Sequence, residues 1–182
     1  MDLSSLQRFL GRNAVDVAPE LLGWTFYTTI GDARTAVTLT EVEAYMGADD
    51  PASHAYRGLT PRTAPMFEAG GLIYVYFVYG MHFCANIVTG VEGEAQAVLL
   101  RGGIPIAGVE VMAKRRGRTT NLAEGPGNLA QALGLSTANS GWPIDGGLIG
   151  LEPGQPPERM ATTRRIGISK ATDRSWRFVA DG

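Results

Sequence analysis

The sequence predicts a single α/β domain of the α+β type over residues 1–182, in which a mixed or antiparallel curved sheet carries a protruding β-hairpin and is surrounded by helices. Runs rich in aromatic and β-branched residues recur along the chain and alternate with short helical patterns. Regular strand–helix–strand repetition is absent, which argues against a doubly wound parallel sheet. Glycine and proline supply 24 and 10 of the 182 residues, so we expect short strands and many turns.

The amino-terminal half begins with a short predicted helix and two predicted strands. Asp16 is a polar N-cap, Pro19 lies early and Gly23 follows, so the pattern predicts a helix over 17–22. Two β-rich runs come next, and the second alternates with period two. The predicted strands are 24–30 and 36–45, with a turn at 31–34 between them and a loop at 47–65 after them.

An apolar stretch in the middle of the chain predicts the β-hairpin. Residues 72–78 and 82–89 form its two strands, and Tyr79-Gly80-Met81 forms its tip. The remaining predicted elements are a strand at 97–101, a helix beginning at Pro105, a helix from Gly125 to Gly134, turns over 136–160 and final strands at 164–169 and 176–180.

Charge excludes a globally basic nucleic-acid binder, because the formal net charge is −2. The charge is unevenly distributed, however. Residues 1–97 carry five arginines against eleven acids, whereas residues 98–182 carry eleven basic residues against seven acids. The basic half is either a set of solvated faces or a surface that meets phosphates.

The cysteine content and the uncharged run 69–91 bear on the cellular compartment of the protein. The one cysteine, Cys84, and two histidines are too few for an intrachain disulfide or a Cys/His zinc site, which suits a reducing cytoplasm. The first thirteen residues lack the basic-then-apolar pattern of a signal peptide. The uncharged run 69–91 is long enough to span a bilayer, but its aromatic and polar residues favour a buried hairpin. We therefore expect a cytoplasmic protein without a membrane partner.

Two acids inside an apolar strand are the first candidates for chemistry. If the strand stays regular, Glu41 and Glu43 share a face with Val37, Leu39 and Tyr45, and the two carboxylates lie about 6–7 Å apart. That separation suits glycoside chemistry by paired carboxylates. The alternative is that both acids only pair with arginines such as Arg101, because an unpaired carboxylate near a core is costly.

Aromatic and polar residues near the hairpin are the next candidates. Stripes of tyrosine in strands usually belong to the core, but Tyr79 sits beside Gly80 at the hairpin tip and is a candidate wedge or stacking group. Asn86 is a polar residue in an apolar strand, so it needs a specific partner. The sequence lacks phosphate-loop, dinucleotide-binding, GxSxG and HExxH motifs, and we expect no cofactor and no metal.

The ordered motifs of the chain resemble one known family. They are Glu41-Val42-Glu43-Ala44-Tyr45, Asp50, His54, Thr60-Pro61-Arg62, Tyr74 to Met81, Asn86-Ile87, Val98 to Arg101, Gly125-Pro126 and Arg165 to Ile168. Together they are similar to the alkyladenine (3-methyladenine) DNA glycosylase family, from about Leu22 to Phe178. The resemblance implies one glycosylase-like domain that removes alkylated or deaminated purines, such as 3-methyladenine, hypoxanthine and etheno-adenine, from duplex DNA.

The resemblance also implies roles for individual residues. Glu43 would activate water as a general base, and Arg101 and the backbone of Ile166 would help to hold that water. The flipped purine would be sandwiched by Tyr45, His54 and Tyr76, and Asn86 would reject guanine by a clash with its 2-amino group. Tyr79 would fill the gap in the base stack. The other implied DNA contacts are Met81, Thr60, Arg62, Gly127 and Asn128.

Two alternatives remain open at this point. One is a non-catalytic nucleic-acid or purine-binding module, in which Glu43 only anchors Arg101. The other is a hydrolase of free nucleosides that uses both Glu41 and Glu43. In the glycosylase interpretation the partner is duplex DNA containing damaged purines, the enzyme is a monofunctional monomer without a cofactor, and its place is the bacterial nucleoid.

Overall fold

The computed structural model describes residues 1–31 and 33–181, and it confirms the predicted class. Within this part of the chain, eight strands form one curled antiparallel sheet that is flanked by four helices. The helices are α1 (Leu3–Leu10), α2 (Ala14–Glu20), α3 (Val109–Arg116) and α4 (Pro126–Ala132). The strands are β1 (Thr25–Ile30), β2 (Ala33–Met46), β3 (Ile73–Val78), β4 (His82–Thr89), β5 (Gln96–Ala107), β6 (Ile149–Glu152), β7 (Arg159–Thr163) and β8 (Arg177–Asp181).

Strand β2 organises the sheet. The strand order is β3-β4-β5-β2-β1-β6, and β8 joins β2 beside β1 and carries β7. With 14 residues, β2 is long enough to pair with β5 along one edge and with β1 and then β8 along the other. The first part of β2 therefore packs into the hydrophobic core, and its last residues reach the region where β4, β5 and β8 converge.

Irregular pairing between β2 and β5 changes which residues of β2 face the core. Register shifts occur on both sides of Glu41, where Leu39 pairs with Gly103 but Val42 pairs with Leu100. Such bulges insert unpaired residues and reverse the alternation of a strand. Leu39 and Val42 are therefore both fully buried in the main hydrophobic core. The prediction that Leu39 and Glu43 share a face is wrong, because the regular period on which it depended is broken.

The hairpin is confirmed at its predicted position. β3 and β4 pair from Ile73 with Ile87 to Val78 with His82, which leaves 79–81 at the tip. The uncharged run 69–91 thus forms strands and turns. Among the described residues, no helix combines the length and the apolar character that crossing a bilayer requires.

Helix boundaries differ from the predictions in the amino-terminal segment. Helix α1 was not predicted, although Leu6, Phe9 and Leu10 recur on one buried side of it. Helix α2 begins earlier than expected, because Asn13 rather than Asp16 is its N-cap and accepts a hydrogen bond from the Val15 amide. The start of α2 depends on where α1 ends, and the local sequence pattern around Asp16 does not contain that information.

Two predictions in the second half of the chain are wrong. Pro105 does not begin a helix but pairs with Val37 near the end of β5. At this point β4 no longer pairs with the other edge of β5, so the missing N–H of proline leaves no hydrogen bond to β4 unmade. Residues 164–169 form a loop instead of a strand. Residues 136–160 are mostly turns, as expected, and the short strand β6 forms within them because β1 offers it a partner edge.

Candidate active site

A cavity of about 700 Å³ opens where the hairpin, β5 and two loops meet. The first loop, 47–67, contains the short 3₁₀ helices Gly47–Asp49, His54–Arg57 and Ala64–Phe67. The second loop is 164–176, between β7 and β8. The volume lies within the range of about 300–1,000 Å³ that is typical of small-molecule sites.

Aromatic rings form much of the cavity wall. Tyr45, His54, Tyr74 and Tyr76 all line it. The His54 and Tyr76 rings meet edge to face, with centroids 4.4 Å apart, and the Tyr74 and Tyr76 centroids are 5.7 Å apart. Aromatic faces of this kind bind flat, polarisable groups with little demand on their hydrogen-bonding pattern.

The Glu43 carboxylate lies directly behind this wall. Its side chain is completely buried, and its three polar contacts all come from residues that line the cavity. The Tyr45 hydroxyl donates to Oε2 at 2.9 Å, the Ile166 amide donates to Oε1 at 2.8 Å, and an Arg101 guanidinium nitrogen lies 3.4 Å from Oε1. Glu43 itself does not line the cavity, so these three residues separate its carboxylate from the open space.

The loop conformation of 164–169 explains the contact with Ile166. In a strand, the Ile166 amide would face a ladder partner, whereas here it is free to donate to Glu43. Gly167 follows with φ +76°, a left-handed conformation that glycine adopts without strain. The Ile166 amide thus contacts Glu43 itself, whereas the resemblance implied that the Ile166 backbone holds the water, and the predicted strand does not exist.

Glu41 and Glu43 have opposite electrostatic environments. Burial alone would raise the pKa of Glu41, but hydrogen bonds from Arg177 and Arg101 to Oε1, each 2.7 Å long, outweigh it and lower that pKa. Burial raises the pKa of Glu43 above its ordinary value, although Arg101, the Ile166 amide and the Tyr45 hydroxyl act against it. A carboxylate whose pKa is raised in a cavity wall is typical of a general base.

Hydrogen bonds from the wall of the cavity orient His54 and Asn86. The Tyr74 hydroxyl lies 3.1 Å from His54 Nδ1, and Asn86 Nδ2 donates to the Tyr74 carbonyl at 3.1 Å. His54 is exposed as a whole residue, but desolvation of its imidazole, together with the positive charge of Arg62, lowers its pKa to about 4. The imidazole is therefore neutral near pH 7 and has one N–H to offer.

The hairpin tip stands at the rim of the cavity. Tyr79 lines the rim and is 80% exposed, and its backbone has φ 53°, which is unusual for a residue other than glycine. Met81 is also exposed. The tip lies beside the start of α4, where a Cβ atom at Gly127 would approach the His82 ring to 3.1 Å, so the absence of a side chain there permits the close contact.

Comparison with known proteins decides the family. The family model described as methylpurine-DNA glycosylase matches residues 8–182. The chain belongs to the methylpurine-DNA glycosylase family. It is 48% identical to a proposed 3-methyladenine DNA glycosylase of Cutibacterium acnes, over 93% of this chain and 92% of that protein. It is 46% identical to one of Frankia casuarinae, over 96% and 87% of the two chains, and 44% identical to one of Rhodopseudomonas palustris, over 97% and 86%.

Most of the site residues predicted for this methylpurine-DNA glycosylase family member lie together. Those that line the one cavity are Tyr45, His54, Tyr76, Tyr79, Asn86, Arg101 and Ile166, with Glu43 directly behind them. Met81, Gly127 and Asn128 lie beyond the lining, at the hairpin tip and the start of α4. Thr60 and Arg62 are exposed on the first loop, where the Arg62 guanidinium stacks 5.5 Å from the centre of the Tyr76 ring.

Several cavity residues escaped sequence reasoning. Tyr74 is buried in a small core cluster, as is usual for a tyrosine in a strand stripe, and its hydroxyl also orients His54, which the stripe alone does not indicate. Arg57 and Lys170 line the cavity as well, and no local pattern distinguishes them from other surface cations. Asp50 and Arg165 belong to the family motifs but received no role. In residues 1–31 and 33–181, no three histidine, cysteine, aspartate or glutamate side chains converge as a metal site would require.

The environment of His54 predicts its titration. The chain has two histidines, each with two carbon-bound imidazole protons, so NMR gives two sets of signals, and His82→Gln identifies the set from His54. We expect the His54 signal to stay constant from neutral pH down to about pH 5 and to titrate near 4, because its pKa is lowered to about 4. A midpoint near the ordinary value of 6.5 would contradict the proposed environment.

Proposed function

We propose that the protein is a monofunctional DNA glycosylase that removes 3-methyladenine, and also hypoxanthine and etheno-adenine, from duplex DNA. The observation that carries this proposal is a buried carboxylate with a raised pKa, placed directly behind an aromatic cavity large enough for a purine. Family membership and the names of the curated relatives support the same class of substrate.

In the proposed reaction, water attacks C1′ of the extruded nucleotide. The water oxygen forms a bond to C1′ while the bond from C1′ to the purine nitrogen breaks, and the electron pair of that bond leaves with the base. Glu43 accepts a proton from the water, which enters at the junction of Tyr45, Arg101 and Ile166. The products are a free purine and an abasic site in an intact strand.

The cavity wall is suited to damaged purines in general. In this proposal Tyr45, His54 and Tyr76 sandwich the flipped base, and their π faces attract the positive charge of a 3-methylpurine. Asn86 is held by its bond to the Tyr74 carbonyl, so in this proposal it presents a fixed obstacle to the 2-amino group of guanine. For a neutral purine, the N–H of neutral His54 is the candidate hydrogen-bond donor.

The surface around the cavity is suited to duplex DNA. Tyr79 is exposed at the hairpin tip and therefore does not contribute to the packing of the core. An aromatic wedge at this position would partly offset the free-energy cost of base flipping. Met81, Thr60, Arg62, Gly127 and Asn128 are the proposed further contacts. Arg57 and Lys170 bring positive charge to the rim and would meet backbone phosphates. We propose that one chain suffices as a monomer.

Two observations favour a glycosylase over the alternatives. Glu43 is not the only acid that binds Arg101, because Glu41 accepts a hydrogen bond from Arg101 Nε at 2.7 Å, whereas Glu43 lies 3.4 Å from another guanidinium nitrogen. That weakens the interpretation as a binding module. Glu41 is held by Arg101 and Arg177 with a lowered pKa, whereas the pKa of Glu43 is raised, and this difference weakens the two-carboxylate hydrolase of free nucleosides.

Replacement of Glu43 tests the reaction. We expect Glu43→Gln to lower the single-turnover release of 3-methyladenine or hypoxanthine from a duplex by about 100-fold or more, because the amide cannot accept the proton of the water. The wild-type protein should leave the strand uncut until the abasic site is treated with alkali.

The control is the affinity for a duplex that carries a tetrahydrofuran abasic analogue, which Glu43→Gln should leave intact. Full activity of Glu43→Gln would contradict the role of the carboxylate. Equal activity on free nucleosides and on duplex DNA would contradict the proposed substrate.

Replacement of Tyr79 tests the wedge. We expect Tyr79→Ala to weaken duplex binding by about tenfold, because the gap in the base stack is left unfilled, while the melting temperature stays unchanged. Leu148→Ala, which truncates another exposed apolar side chain away from the cavity, should bind DNA as the wild type does. Equal affinities of Tyr79→Ala and Leu148→Ala would contradict the proposed insertion.

A further inference from the structure

One buried ion pair joins the two loops that form the cavity. Asp50 follows the first 3₁₀ helix of loop 47–67, and Arg165 lies near the start of loop 164–176. Arg165 binds Asp50 with two nitrogens, NH1 to Oδ2 and NH2 to Oδ1, the latter at 2.9 Å. Both side chains have no exposed surface. The loops are therefore fixed to each other from within.

Each partner of the pair also holds its surroundings in place. Arg165 NH1 donates to the Ala44 carbonyl at 3.0 Å, which ties the second loop to β2 between Glu43 and Tyr45. Asp50 accepts from the amides of Met46 at 3.3 Å and Ala52 at 3.1 Å, which fixes the turn that leads towards His54. The pair thus connects β2 to both loops.

The same pair supports the contacts of the Glu43 carboxylate. The Arg165 guanidinium carbon lies 4.6 Å from the centre of the Tyr45 ring, whose hydroxyl donates to Glu43 Oε2. The residue after Arg165 is Ile166, whose amide donates to Glu43 Oε1. One guanidinium therefore sets the position of the donors to both carboxylate oxygens without touching the carboxylate itself.

Stability alone does not account for this arrangement. A buried ion pair loses so much hydration that well-packed apolar residues of similar volume often stabilise a fold equally or better. Arg165 also leaves its Nε atom buried without a hydrogen-bond partner among the described residues. The pair lies in the cavity wall, and a requirement for precise geometry there explains it better than a contribution to the stability of the fold does.

We propose that Asp50 and Arg165 are positioning residues that align the Ile166 amide and the Tyr45 hydroxyl on the Glu43 carboxylate and so set the rate of bond cleavage. The inference rests on the proposed glycosylase reaction and adds to it a pair that touches neither the base nor DNA. It predicts that disruption of the pair slows chemistry while binding of the duplex persists.

The pair also has an electrostatic consequence for Glu43. The groups that face this carboxylate are Arg101 from β5, Tyr45 from β2, and Arg165 with the Ile166 amide from the second loop, while Arg177 from β8 binds Glu41 instead. Burial raises the pKa of Glu43, and the charge of Arg165 is one of the influences that lower it. Loss of that charge should raise the pKa further. Because a general base acts only when ionised, the acidic limb of the rate profile should move to higher pH.

The experiment compares Arg165→Gln with Arg115→Gln in single-turnover excision from pH 5 to 9. Arg115 is a matched control, because it also donates three hydrogen bonds, to Thr35, Ala132 and Ile30, but lies away from the cavity. For Arg165→Gln we expect a rate at least about tenfold lower and an acidic limb shifted upward by about half a pH unit. Its affinity for tetrahydrofuran duplex should stay within about twofold of wild type. Arg115→Gln should keep the rate and the limb of the wild type.

Arg165→Lys keeps the positive charge but cannot bind both Asp50 oxygens in one plane. We expect it to keep the acidic limb in place and to lower the rate, which separates positioning from charge and serves as the test if Arg165→Gln does not fold. A wild-type rate in Arg165→Lys, or the same behaviour of Arg165→Gln and Arg115→Gln, would overturn the inference. If the wild type releases no purine, or Glu43→Gln retains full activity, the proposed function fails instead.

Discussion

The site depends on one constraint: the Glu43 carboxylate has no exposed surface, so contacts within the protein must replace its lost hydration. An ionised group in such a place is stable only if hydrogen bonds and a nearby opposite charge replace its hydration. Glu43 receives these from three separate elements: Tyr45 on its own strand, Arg101 on β5 and the Ile166 amide on a loop. The open loop at 164–169 leaves the Ile166 amide free for this contact, and the bulges around Glu41 separate the face of Glu43 from the core face that holds Leu39.

The site divides its tasks between rigid and adaptable parts of the fold. Glu43 and Arg101 lie on paired strands of the sheet, where their positions are held by the ladder and by the core beneath it. His54 lies on a loop, where length and composition vary at less cost to the core. The hairpin tip projects Tyr79 beyond both. In the proposed enzyme, the sheet thus holds Glu43 and Arg101, whereas the two loops supply His54 and the Ile166 amide, and the hairpin tip supplies the contact with DNA.

The sequence predicts best where one local pattern decides. β1, the hairpin strands β3 and β4, and the exposed tyrosine between them follow from period and turn residues. Long-range effects account for the failures: the bulges that separate Leu39 from Glu43 depend on β5, and the loop at Ile166 depends on a carboxylate far away in sequence. The basic half misleads for the same reason, since Arg165 and Arg177 are bound to acids that precede them by over 100 residues.

The most direct measurement of the central claim compares the affinities for two abasic analogues placed in the same duplex. A pyrrolidine analogue carries a positive charge next to the position of C1′, whereas tetrahydrofuran is neutral. The difference between the two affinities therefore shows whether a negatively charged group lies near C1′. The account predicts that the protein prefers the cationic analogue by about tenfold or more and that Glu43→Gln loses this preference. Equal affinities in the wild type, or a preference that survives Glu43→Gln, would contradict it.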